Sequence, residues 1–363
     1  MVPGDTHHLA VDMVLCMTKL PTDKVSIWLL LQILISLALI FYIQRMWHTP
    51  ADVQCPVLER KASWEQSRII ILLWTLPFND PFNLNQCAEL FGITGCFFTS
   101  DRRFYRNADA VIFHHADLMN RPNDLPHWPQ PLNQRWIWFN LESPVHISYL
   151  DRLDNMMNLT MTYRRDSDIF TPYGWALLSK EPQNFNIPAK SRLVAWATSN
   201  WNPNLRRVHY YEELKKHLQV DVFGPGNLQL GRDEQTAVLS QYKFYLAFEN
   251  SETRDYITEK LWNNALLSRT VPVVLGPTRE NYERFLPAEA FIHVDDFPSA
   301  KELAEFLLAL DKDDERYQKY FTWRSHYEVV GSINWQTHYC KACVFLQNNP
   351  TYKTIPSIMK WFV

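Results

Sequence analysis

Residues 244–277 read FYLAFENSETRDYITEKLWNNALLSRTVPVVLGP, and this stretch decides the fold class. Phe244–Phe248 is a short apolar run that stops at Glu249, Asn250 and Ser251. Thr258–Leu267 has helical periodicity, and Val271–Leu275 is a second apolar run closed by Gly276 and Pro277. Strand, helix and strand at this spacing make a β-α-β unit with parallel strands buried on both faces. Apolar runs of the same kind recur at Ile69–Trp74, Ala110–Phe113, Trp136–Leu141, Leu193–Ala197 and Val220–Phe223, with a helical pattern at Asn204–Leu218. The pattern predicts an α/β protein of two domains with mostly parallel sheets, joined through the proline-rich Pro182–Pro188. Open sheets of this class bind ligands at the carboxyl ends of their strands.

Composition narrows the function. Of 363 residues, 47% are hydrophobic and 14% aromatic, which excludes a disordered chain. A formal net charge of -3 argues against binding nucleic acid through bulk charge. No G-x-x-x-x-G-K-[ST] or G-x-G-x-x-G string occurs, so neither a P-loop nucleotidase nor an ordinary dinucleotide dehydrogenase is indicated.

The N-terminal region points to a compartment. Val25–Ile43 (VSIWLLLQILISLALIFYI) carries no charge and is apolar on every side. As a helix it spans about 28 Å, enough for one thin bilayer crossing. No small-residue cleavage site follows, so a signal anchor is expected rather than a cleaved peptide. Lys19 and Lys24 precede the span, favouring a cytosolic tail at 1–24 and a lumenal remainder, with residues 44–65 as a stem. Cys87, Cys96, Cys340 and Cys343 lie in the globular part. In an oxidising lumen they form two disulfides; spacing leaves open whether each close pair joins itself or the first pair bridges to the second. Asn158-Leu159-Thr160 is a glycosylation sequon, whereas Asn349-Pro350-Thr351 is blocked by its proline.

Candidate chemistry lies at the strand ends. Glu142 follows Trp136–Leu141 and precedes Ser143 and Pro144, which stop the strand and leave a carboxylate on the sheet's lip as a general base. Glu249 and Asn250 end the next lip, followed by Tyr256 and a helix opening at Thr258, Glu259 and Lys260. The free N–H groups of that helix start, with the Lys260 charge, favour an anionic ligand. Arg206 and Arg207 open another helical segment, and one of them is a candidate phosphate ligand. His114 and His115 follow Ala110–Phe113 and suggest proton transfer or sugar contact. Asp166-Ser167-Asp168 has the D-x-D form of a metal clamp, but Arg164 and Arg165 beside it offer structural partners.

Taken together, WIWFNLESP (136–144), YRRDSDIFTPYG (163–174), FYLAFENS (244–251), DYITEKLW (255–262) and VPVVLGP (271–277) resemble the α-1,3-fucosyltransferases of glycosyltransferase family 10. The blocks are most similar to vertebrate Golgi members; DSDIF-x-PYG and VDVFG (220–224) resemble the leukocyte-type members that make sialyl Lewis x. The resemblance implies a GT-B fold, two Rossmann-like domains facing a cleft behind a single transmembrane signal-anchor helix. On this chain it implies an acceptor domain at 66–187, a GDP-fucose domain at 188–330 and a C-terminal segment at 331–363 carrying the second cysteine pair. It implies inverting transfer from GDP-β-L-fucose to N-acetyllactosamine-type glycans of glycoproteins and glycolipids, at the Golgi membrane, with a homodimer as one arrangement. Glu142 would be the base; Arg207 and Lys260 would hold the diphosphate; Glu249, Asn250, Tyr256 and Glu259 would line the donor pocket. His114, His115, Ala116 and Asp117 would lie on the acceptor side. Many relatives carry Arg or Trp where this chain has Ala116, which leaves type 1 against type 2 acceptor preference open. No metal is obligatory in such enzymes, although divalent ions can raise turnover. The competing readings are a metal-dependent transferase of another nucleotide sugar, using Asp166 and Asp168, and a non-catalytic glycan-binding relative.

Overall fold

The computed structural model describes residues 32–34, 36–37, 68–79, 83–121, 123–231, 233–331 and 335–363. The chain divides into units 1–56 and 57–363, and the architecture below is that of the second. Among the described residues no helix is long and apolar enough to cross a membrane. Most of the span expected at 25–43, and all of the stem at 44–65, lie outside the described residues.

The apolar runs become strands because each is buried on both faces. Strands β1 (Ile69–Leu73), β2 (Cys96–Thr99), β3 (Ala110–His114), β4 (Arg135–Asn140), β5 (Leu159–Thr162) and β6 (Ile169–Phe170) form a six-stranded sheet. Its order is β2-β1-β3-β4-β5-β6, and every pairing is parallel. After β7 (Trp175–Leu178), residues without regular structure, Pro182–Pro188 among them, lead to β8 (Arg192–Ala197). Strands β8, β9 (Asp221–Phe223), β10 (Tyr242–Phe248), β11 (Val271–Leu275) and β12 (Ile292–His293) form a second parallel sheet, ordered β12-β11-β10-β8-β9. β13 (Tyr327–Val330) then pairs antiparallel with β7.

Both sheets reverse their strand order once: between β1 and β3 in the first, between β8 and β10 in the second. At such a point successive connections leave toward opposite sides, and a crevice opens at the carboxyl ends. Helix Arg206–Leu214 is shorter at both ends than its sequence pattern predicts, and the helix after β10 starts at Lys260, not Thr258, and is wound as a π-helix to Leu267.

Helix Trp335–Asn348 returns to the first sheet. Tyr339, Cys340, Ala342, Cys343 and Leu346 join Ile71, Ile112, Ile137 and Phe139 in one core, so residues 335–348 complete that sheet's packing. Two disulfides fasten the helix, Cys87–Cys340 and Cys96–Cys343, across separations of 253 and 247 residues. The first pair therefore bridges to the second, a choice that only long-range packing makes.

The Asn158 sequon sits at β5's edge with its side chain 1% exposed. Its Oδ1 accepts from Trp136 N at 2.6 Å and Gln130 Nε2 at 2.8 Å, while Nδ2 donates to the Lys353 carbonyl at 2.6 Å. The folded chain does not offer this amide to solvent, so a glycan there has to be attached before this region closes.

Replacing Cys87 and Cys96 together by serine removes both long cross-links from the unfolded ensemble. The expected outcome is a loss of about 2–5 kcal/mol or more of stability, read as a lower urea midpoint. An unchanged midpoint would show that helix packing alone holds residues 335–348.

Candidate active site

The ends of β3, β4, β8, β9 and β10 converge on one cleft of about 1000 Å³. From the first sheet it is lined by Phe78, His114, Leu141, Glu142 and Tyr173, and from the second by Thr198, Asn200, Arg207, Gly224, Asn250, Tyr256, Glu259 and Lys260. Glu142, Arg207, Asn250, Tyr256, Glu259, Lys260 and His114, all singled out in the sequence, thus meet in one cavity.

The main chain around Glu142 is pinned on both sides. Tyr173 Oη donates to the Leu141 carbonyl at 2.6 Å, and Asn140 Nδ2 donates to the Glu142 carbonyl at 2.7 Å. Among the described residues no ion pair engages the Glu142 carboxylate, which faces the cleft half-buried. Tyr173 and Asn140 lie inside the YRRDSDIFTPYG and WIWFNLESP blocks, but nothing local to either residue marks it as a support for Glu142.

On the opposite wall Arg207 is 3% exposed. Its Nη2 donates to the Asn200 carbonyl at 2.6 Å, while its Nε is buried without a partner among the described residues. Buried donors are rarely left unmet in a folded protein, and Arg207 is one of the residues that line the cleft. Burial pulls the guanidinium below its usual pKa, with Glu249 working against that shift. The neighbouring Arg206 turns to the surface, where it pairs with Glu252 at 2.5 Å and with Asp295.

Lys260 is held by three oxygens: Thr258 Oγ1 at 2.8 Å, Glu259 Oε1 at 3.0 Å and Glu249 Oε2 at 3.1 Å. Burial alone would lower its pKa, but the two carboxylates outweigh that and raise it, so the ammonium stays charged. Burial acts to raise the Glu259 carboxyl, and the Lys260 charge overrides it and holds the group below its ordinary value. Burial and Glu249 together raise the Tyr256 phenol, which stays a neutral donor.

Glu249 corrects one expectation. It is 1% exposed and lies behind the cleft wall; Oε1 accepts from Thr258 N at 2.7 Å and from Thr258 Oγ1 at 2.9 Å. The N–H expected to be free for an external anion at the helix start is therefore occupied from within. Lys260, carried forward by this arrangement, is the charge that the helix presents to the cleft.

The acceptor-side quartet divides. His114 lines the cleft, with Nδ1 2.8 Å from Asp117 Oδ2. His115, Ala116 and Asp117 are buried and do not line it. His115 Nε2 faces the Ser148 carbonyl at 3.0 Å, which fixes the tautomer and leaves Nδ1 buried without a partner among the described residues.

Asp166 and Asp168 are committed elsewhere. Asp166 pairs with Arg164 at 2.7 Å and Arg254 at 3.6 Å; Asp168 accepts from Thr160 N at 2.9 Å and pairs with Lys353. Gly224 shapes the far end of the cleft: at φ +135° a Cβ there would meet the Thr198 carbonyl oxygen at 2.0 Å.

The comparisons with known proteins extend this geometry. Residues 66–174 match the fucosyltransferase N-terminal family model, and residues 187–361 match that of glycosyltransferase family 10 (fucosyltransferase), C-terminal. This chain belongs to glycosyltransferase family 10. It is 54% identical over 298 residues to the 4-galactosyl-N-acetylglucosaminide 3-alpha-L-fucosyltransferase FUT6 of Pongo pygmaeus, covering 81% of this chain and 82% of that protein. It is 49% identical over 348 residues to the 3-galactosyl-N-acetylglucosaminide 4-alpha-L-fucosyltransferase FUT3 of Bos taurus, covering 92% of this chain and 94% of that one. A crystal structure of an alpha1,3-fucosyltransferase with GDP-fucose shares the fold, with a TM-score of 0.53 at 17% identity over 84% of this chain and 97% of that chain.

Burial lowers the His115 pKa to about 4. The unfolded chain, with an ordinary histidine near 6.5, binds that proton more readily. Stability is therefore full near pH 7 and is lost as pH falls through 6.5 toward 4, by about 3 kcal/mol from this residue. His115→Gln keeps a donor for Ser148 but cannot take a charge, and its melting temperature should fall less between pH 7 and pH 4.5. Equal slopes for variant and wild type would contradict this assignment.

Proposed function

We propose that this protein is an inverting α-1,3-fucosyltransferase that moves L-fucose from GDP-β-L-fucose to the GlcNAc 3-OH of N-acetyllactosamine-type glycans, sialylated or not. The observation that carries the reading is one cleft with a carboxylate on one wall, Glu142, that has no ion-pair partner among the described residues, and two cations on the other, the buried Arg207 and the half-buried Lys260. Family membership and the fold shared with a fucosyltransferase support it.

Inverting transfer needs a base on the face of the sugar opposite the leaving group, as in an inverting hydrolase with the acceptor hydroxyl in the place of water. Glu142 takes the proton of the acceptor 3-OH as that oxygen bonds to fucose C1. The bond from C1 to the phosphate oxygen breaks, and its electron pair leaves with GDP. Negative charge grows on the β-phosphate, where the Lys260 ammonium and the Arg207 guanidinium stabilise it, a preorganised electrostatic term. Asn250 and Glu259 offer hydrogen-bond acceptors to donor hydroxyls, and the Tyr256 phenol offers a donor.

A metal clamp at Asp166-Ser167-Asp168 finds no support, since arginine and lysine partners hold both carboxylates. We therefore place no obligatory metal in the reaction. The proposal includes a GT-B arrangement of the two sheets, a type II anchor at 25–43, and a lumenal catalytic unit at the Golgi membrane, carried by the uncharged span and the two disulfides.

Glu142→Gln keeps the side chain's size and removes its basicity. Transfer by this variant should fall by about 10²–10⁴-fold, while its dissociation constant for GDP stays within a few fold of wild type by calorimetry. Parallel loss of GDP binding would make Glu142 structural, and retained turnover would remove it as the base.

A further inference from the structure

The acceptor has to lie on the first sheet's side of the cleft, and that wall carries a feature the donor chemistry does not use. Phe78 lies just beyond β1, and His114 ends β3. These are the two strands at which the first sheet reverses order, where the topology opens a ligand crevice. Among the described residues the cations that line the cleft, Arg207 and Lys260, come from the second sheet's side. The first sheet's crevice is aromatic instead: the Phe78 ring centroid is 5.3 Å from His114 and 6.1 Å from Trp335, which opens the returning helix.

Phe78 is unusual on two counts. Its backbone is left-handed, φ 55° and ψ 25°, a conformation costly for a bulky aromatic and kept only where its surroundings enforce it. Its side chain is nonetheless 60% exposed, so burial of the ring is not what the strain secures. The ring is instead held edge-on to His114, itself anchored by Asp117, with Trp335 beside it. An apolar ring fixed in orientation and open to a polar cleft suits a ligand with a flat C–H face and hydroxyls at its rim. A diphosphate lacks such a face. Galactose has one, because its axial 4-hydroxyl leaves the hydrogens of C3, C4 and C5 together on the other side of the ring.

We propose that Phe78 and Trp335 form the platform on which the galactose ring of the acceptor stacks, with the neighbouring GlcNAc thereby presented to Glu142. This rests on the fucosyltransferase reading above.

Glycine adopts φ 55° without strain, so Phe78→Gly separates the ring from the fold. The variant should melt at or above the wild-type temperature, while its KM for N-acetyllactosamine rises about tenfold, equivalent to about 1.4 kcal/mol. Its KM for GDP-fucose should stay within twofold. Phe78→Tyr should restore the acceptor KM, Trp335→Ala should raise it, and transfer to a GlcNAc glycoside lacking galactose should be the same for Phe78→Gly as for wild type. An acceptor KM unchanged in Phe78→Gly, or a rise equally large for the GlcNAc glycoside, overturns the platform while leaving the activity in place. Wild-type protein that transfers no fucose overturns the activity, and the platform with it.

Discussion

A carboxylate 1% exposed would be costly in this core without partners, and Glu249 has three: the Thr258 amide, the Thr258 hydroxyl and the Lys260 ammonium. This contact sets how β10 hands the chain to the π-helix Lys260–Leu267. It fills the helix start from inside the protein, fixes Lys260 between two carboxylates, and turns that cation to the cleft. Removing Lys260 would leave Glu249 buried without its countercharge, so the second sheet's ligand wall depends on the pair remaining whole. Arg207, from a different helix, lines the same cleft, with its buried Nε unpartnered among the described residues.

The first sheet meets this wall with complementary chemistry. Its strand ends bring Glu142, with its main chain pinned by Tyr173 and Asn140, and the aromatic group of Phe78, His114 and Trp335. The cations and the carboxylate of Glu142 thus come from different sheets. In the proposed reaction that separation keeps the base on the face of the sugar away from the departing phosphate. The returning helix 335–348, fastened by both disulfides, makes the C-terminal chain part of the first sheet's core and supplies Trp335 to the cleft.

The sequence shows those parts whose signal is local. Parallel strands buried on both faces leave unbroken apolar runs, so AVIF at 110–113 and VPVVL at 271–275 are readable, while CFFT at 96–99 and LTMT at 159–162 are too short or too polar to stand out. Glu142 is readable because Ser143 and Pro144 stop its strand. Pairings between distant residues leave no such mark. The disulfide partners, the occupation of the helix start by Glu249, and the turning of His115 and Asp117 away from the cleft all depend on tertiary packing. Asn158 makes the same point from the other side: its sequon is plain in the sequence, but its amide is committed to Trp136, Gln130 and Lys353. Phe78 carries no sequence signal, since only its backbone angle and exposure set it apart.

In the proposed reaction Lys260 is the charge that Glu249 and Glu259 hold ready for the donor's phosphates. The most direct test is the affinity of GDP for wild type and Lys260→Ala by calorimetry, with a melting curve to establish that the variant is folded. Binding at least about tenfold weaker is expected in the folded variant. Equal affinity would contradict it, leaving Lys260 as a counter-ion for buried carboxylates alone.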